Sequence, residues 1–173
     1  LRNKIIGTPL QITEMAIRLL YKVTGGRPFE MNITMFCIFD ALMQNAFNQL
    51  NVTHNVERKC IIRQEDVRRY VDIFLQDTDR KTLYSLSRKD IVAMYRPMYS
   101  LSLSPEQRNI INTILDRGFI SEDEIGPVDV AYLKKLLIIQ RDPQHKTYVI
   151  RGMILANILK TVREIFSGQN EKG

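Results

Sequence analysis

Lys134, Lys135, Arg141, Lys146 and Arg151 are the side chains of this sequence best suited to chemistry, and the chemistry is the capture of phosphate. From Val130 to Arg163 there are seven basic residues, these five with Lys160 and Arg163, and only Asp142 opposes them. Ammonium and guanidinium groups gathered on one face neutralise phosphates and release counterions, which supplies affinity for nucleic acid without reading its sequence. His145 lies among them and adds a ring that can hydrogen-bond or stack. The competing account is solubilising charge spread round the surface. The fold must decide between the two.

Positioning these groups falls to residues 104–151. Ser104-Pro105-Glu106-Gln107 combines a cap hydroxyl, a proline at the first helical position and a reciprocal acceptor at the third, so a helix is expected from Pro105 to about Arg117, with Gly118 as its left-handed end. Ser121-Glu122-Asp123-Glu124 repeats the capping pattern over a shorter span closed by Gly126-Pro127, which suits a second helix of one or two turns. Residues 129–136 make a third helix with Lys134 and Lys135 on its polar side. The period then changes. Residues 137–141 and 147–151 are β-branched and aromatic, and Pro143 keeps 142–146 out of a helix, so a hairpin with a basic tip is expected. Continuing the third helix to Gln140 is the competing parse. Helix, short helix, helix and hairpin together outline a winged helix, a shape that holds nucleic acid and also docks on proteins.

The first half reads as helical. Thr8-Pro9-Leu10-Gln11 carries the same cap signals, with Ile12, Met15, Ala16, Leu19, Leu20 and Val23 as an apolar stripe before Gly25-Gly26. A loop over 25–30 leads to a long helix over about 32–50, where Phe36, Phe39, Met43, Phe47 and Leu50 recur at helical spacing. Asp40 is the odd charge on it, expected at the surface or paired with an arginine. Cys60-Ile61-Ile62 has strand character but no evident partner. Further helices are expected over 64–75, 80–86 and from Ser87 to Pro97.

This middle segment carries a secondary basic surface: Arg68, Arg69, Arg80, Lys81, Arg88 and Lys89, with Tyr70, Tyr84, Tyr95 and Tyr99 interspersed. Tyrosines exposed between basic residues would stack single-stranded bases. Eight acidic residues from Asp40 to Asp90 offset most of that charge, which makes local ion pairing the simpler reading.

Enzymatic chemistry is not expected. His54 and His145 share no metal-ligand spacing with Cys37 or Cys60. Gly25-Gly26 lacks the lysine of a phosphate loop, and no serine sits in a nucleophile elbow. Glu122, Asp123, Glu124 and Asp129 are carboxylates of the kind that hold magnesium or manganese, but helix capping already accounts for part of that group. No metal or other cofactor is expected.

With 173 residues, of which 45% are hydrophobic, the chain can fill one ordinary core or two small ones. The expected class is mainly α: a helical domain over 1–97, a serine-containing linker over 98–104, a winged-helix-like α+β domain with a short β-hairpin over 105–166, and a flexible tail over 167–173. A single fused helical domain is the alternative. Two cysteines make no disulfide scaffold, and the glycosylation-type triplets at Asn32 and Asn51 are short enough to arise by chance, so an intracellular setting, nuclear or cytoplasmic, is expected. The start at Leu1 suggests a piece of a larger protein. The expected partner is DNA or RNA, with no membrane. The alternative is a protein-interaction or assembly module, a homo-oligomer included, that uses residues 31–47, Tyr95, Met98, Tyr99 and the apolar face of a last helix over 153–166.

Overall fold

The computed structural model describes residues 10–50, 60–76 and 88–170, a mainly helical chain with two small sheets. It divides into two compact units, Leu1–Ser85 and Leu86–Gly173. The helix expected over 80–86 lies outside the described residues. No helix among the described residues is long and apolar enough to cross a membrane.

The first unit runs β1 (Leu10–Ile12), α1 (Glu14–Thr24), α2 (Pro28–Leu50), β2 (Cys60–Ile62) and α3 (Gln64–Leu75). The helix start expected at Thr8 to Gln11 is displaced. Leu10–Ile12 is a strand lying parallel to Cys60–Ile62, with Leu10 opposite Cys60 and Ile12 opposite Ile62. The helix begins instead after Thr13, whose hydroxyl accepts the Ala16 N–H at 3.3 Å. Pairing with a distant segment outweighs a local cap, and it supplies the partner that Cys60-Ile61-Ile62 lacked in the sequence. Gly25 and Gly26, at φ 64° and 68°, end α1. Pro28 then occupies the first position of α2, which starts four residues ahead of the expected Asn32. Ala16, Leu20, Val23, Ile62, Val67, Val71 and Phe74 form the core, and the buried Glu30 pairs with Arg27 at 2.5 Å. Asp40 lies on α2, but its side chain, like those of Met43, Phe47 and Leu50, is outside what is described.

The second unit runs α4 (Arg88–Pro97), a π-helical turn (Met98–Ser102), α5 (Pro105–Arg117), β3 (Ile120–Ser121), a 3-10 turn (Glu122–Glu124), α6 (Pro127–Lys135), β4 (Ile139–Asp142), β5 (Thr147–Ile150) and α7 (Met153–Asn170). The three strands are antiparallel in the order β3-β5-β4. The stretch expected as a linker is built into this unit. Pro97 cannot donate to the helical ladder, and the chain widens into a π-helical turn there without leaving the helix. Tyr99 in that turn is 2% exposed; its hydroxyl donates to Asn112 at 2.8 Å, and its ring meets Phe166 edge-on at 6.0 Å. Burial pushes the pKa of that phenol upward, against the pull of its Asn112 hydrogen bond. Arg108 ties the turn down further by donating to the Ser100 and Leu103 carbonyls.

α5 begins as its capping box requires, with Ser104 and Gln107 exchanging hydrogen bonds at 3.2 and 3.1 Å. Pro127 sets the start of α6 two residues before the expected Asp129. Residues 139–150 form the hairpin, so the helical continuation to Gln140 is not adopted. α7 continues past Phe166 through Gly168, since a single helical glycine costs only about 1 kcal/mol. α7 packs along α4 and touches α5 and β5. Ile111, Ile114, Leu133, Ile138, Ile139, Leu155, Ile158 and Val162 are the centre of the core.

Leu133→Ala removes a fully buried side chain that holds α6 to this core, and we expect a loss of about 2–5 kcal/mol in urea unfolding. Ser104→Ala deletes one cap acceptor and should cost about 0.5–2 kcal/mol in the same measurement.

Candidate nucleic-acid interface

The C-terminal end of α6 and the hairpin meet because the chain turns sharply between them. Leu133 is buried at the end of α6, Leu136 closes the helix, and Leu137 takes a left-handed φ of 55°. That conformation is costly for a non-glycine residue. It is held by the Leu137 N–H to the Lys134 carbonyl and the Ile138 N–H to the Leu133 carbonyl, both 2.9 Å. The Arg151 N–H donates to the Ile138 carbonyl at 2.8 Å and closes the base of the hairpin. Lys134 is thereby carried over the sheet, its ammonium 4.9 Å from the centre of the Tyr148 ring. Tyr148 lies on the central strand, with Ile120 opposite it on one side and Arg141 on the other, so the three side chains share a face.

Arg141 binds Glu122 through two nitrogens. Nε donates to one carboxylate oxygen and Nη2 to the other, the latter at 3.3 Å. The Glu122 N–H donates to the Lys146 carbonyl at 3.2 Å, which fixes the 3-10 turn against the hairpin tip. The hydrogen bond from Arg141 holds the Glu122 carboxyl below its ordinary range, and the charges of Arg141, Lys146 and Lys134 act in the same direction. Of these cations only Arg141 touches the carboxylate, while Lys134 and Lys146 act on it through their charge. Lys146, at φ 51°, makes no ion pair among the described residues.

The remaining expected residues are placed differently. Lys135 is exposed on α6 and takes no part in that cluster. His145 is engaged with the hairpin turn: its Nδ1 lies 3.0 Å from the Asp142 carboxylate, which also accepts the Gln144 N–H at 2.9 Å. The Asp142 carboxyl is lowered first by the His145 contact and then by those backbone N–H groups. Arg151 is half-buried at the hairpin base. Lys160 is exposed on α7, and Arg163 pairs with Asp116 at 2.7 Å.

Of the secondary basic surface, Arg68 and Arg69 are exposed on α3 and Lys89 is exposed on α4. Arg80 and Lys81 lie outside the described residues, as does the side chain of Arg88. Tyr70, Tyr95 and Tyr99, the described tyrosines of that surface, do not offer open rings. Tyr95 and Tyr99 are 5% and 2% exposed, and Tyr70 stacks on Phe74 at 6.2 Å, where burial pushes its phenol pKa far up. Tyr84, His54 and the Asn51 triplet lie outside the described residues.

Three of the four carboxylates considered for a metal have other duties. Glu122 binds Arg141, Glu124 accepts the Ser121 N–H at 3.0 Å and pairs with Arg117 at 2.9 Å, and Asp129 accepts from Gln107 at 3.1 Å. Among the described residues no group of three or more His, Cys, Asp and Glu is arranged to hold a metal ion. Sequence reasoning overlooked Glu122 and Tyr148 as parts of the basic face. Tyr148 was legible only as a strand residue, and Glu122 only as part of a cap.

Because its folded pKa lies below the ordinary 4.5, Glu122 adds stability that is fully present above pH 4.5 and is lost as pH falls through the lower, folded value. Glu122→Gln should therefore lower the urea midpoint slightly at neutral pH, and that difference should close on acidification below pH 4.5. A difference that persists unchanged to the acid limit would assign the effect to packing. The chain matches no family model, no curated protein and no solved structure, so its role must be read from this arrangement of residues.

Proposed function

We propose that residues 105–166 form a winged-helix-like domain that binds the phosphate backbone of nucleic acid, in an intracellular protein and without catalysis. α6 takes the place of the third helix and β4-β5 that of the wing. One observation supports the reading: Lys134 from the helix lies over Tyr148, whose cross-strand partner Arg141 holds the Glu122 carboxylate at two points, and the backbone of that same Glu122 is tied to Lys146 at the hairpin tip. Positive groups from separate elements that gather on one exposed face match a phosphate, whereas solubilising charge has no reason to gather. Lys135 extends the surface along α6, and His145 and Arg151 flank it at the tip and base of the hairpin. The contacts are to backbone, so duplex and single strands are both candidate partners.

A second reading is a protein-docking module that uses aromatic and methionine side chains and the C-terminal helix, of which Phe36, Met153 and Ile165 are exposed. Tyr95 and Tyr99, first considered for such a surface, are spent in the core.

Titration with duplex and single-stranded DNA and RNA across salt concentrations distinguishes the readings. Binding should weaken steeply with salt, and Lys134→Gln or Lys146→Gln should each weaken it on every sequence and reduce the slope of log affinity against log salt by about 1. Absence of binding at low salt by the folded protein would reverse the ranking in favour of docking.

A further inference from the structure

We propose that Glu122 is an internal competitor for the phosphate site, occupying the Arg141 guanidinium that nucleic acid would otherwise engage and so keeping backbone affinity low. This inference rests on the proposed nucleic-acid reading and goes further, since it assigns a role to an acidic residue inside a basic face.

The geometry is that of anion recognition. A carboxylate that accepts from Nε and Nη2 of one arginine uses the side-on edge of the guanidinium, the same two-point contact a phosphate makes. Glu122 reaches that position because it begins the 3-10 turn, where its N–H is tied to the Lys146 carbonyl. The capping box of the turn belongs to Ser121 and Glu124. Glu122 is therefore not needed to form the turn, and Gln is a substitution that keeps its shape. The side chains of Arg141 and Glu122 are 50% and 33% exposed, so the pair is open to solvent and to an incoming strand. An ion pair of this exposure contributes little to stability, which makes it displaceable. Lys134 lies over Tyr148, the cross-strand partner of Arg141, and Lys146 is tied to the Glu122 backbone, so a phosphate replacing the carboxylate would sit on the same basic face.

The test is a double-mutant cycle read by binding of a mixed-sequence duplex DNA and a single-stranded RNA across salt, with folding checked by circular dichroism. Glu122→Gln should tighten binding about twofold to fivefold, the range of an exposed ion pair. It should also steepen the salt slope by about 0.9 on duplex DNA, one more phosphate contact. In the Arg141→Gln background the same change should have almost no effect, because the contested group is gone. Unchanged or weaker binding by Glu122→Gln, with the wild type binding normally, overturns the competitor role and leaves the nucleic-acid reading standing. An equal gain in both backgrounds also overturns it, since Glu122 would then act as a distant charge. If neither wild type nor Glu122→Gln binds at low salt, both proposals fall together.

Discussion

Everything in the basic face depends on the burial of Leu133 and Ile138 on either side of Leu137. Both flanking side chains are fully buried, so neither can rotate away, and the backbone between them must reverse within a few residues. Leu137 accepts a left-handed conformation to achieve that reversal. Strain of this kind costs of order 1–3 kcal/mol and persists only where surrounding packing over-determines it. Here two hydrogen bonds and two buried leucine or isoleucine side chains do so. Without the reversal, Lys134 would not lie over Tyr148, and helix and hairpin would not share a charged face.

The charge pattern follows from the register of the sheet. Arg141, Tyr148 and Ile120 fall in one row across β4, β5 and β3, so a cation, a ring and a core aliphatic lie side by side. Tyr148 is 7% exposed and separates the core from the charged surface, presenting its ring to the Lys134 ammonium. Glu122, an acidic group drawn into this surface, is held from both sides, by its own N–H and by its carboxylate. Arg163 is drawn into a pair with Asp116 on α5, while Lys135 and Lys160 are exposed on their helices.

Some redundant local signals were read well. Ser104, Pro105, Gln107 and Gly118 specify α5 by four agreeing preferences, and its observed bounds coincide with them. The hairpin was legible from Pro143 and the β-branched runs on each side of it. Other local signals misled, the equally redundant start at Thr8 to Gln11 among them. The cap at Thr8 to Gln11 gave way to a strand, and the serines of residues 98–104 suggested a linker where Tyr99, Arg108 and Tyr132 secure a helical turn; the Tyr132 hydroxyl bonds the Ser102 carbonyl at 2.8 Å. In both places the deciding partner lies far along the chain, where composition and periodicity carry no information.

By itself the sequence determined the helical class, the start of α5 through its capping box and proline, the hairpin, and the concentration of positive charge in the last third, because each is a property of neighbouring residues. Only the tertiary structure decided which charges meet. Arg141 meets Glu122 and Lys134 meets Tyr148, while the adjacent Lys135 has neither contact, since a charge's neighbours depend on packing and strand register that adjacent residues do not encode.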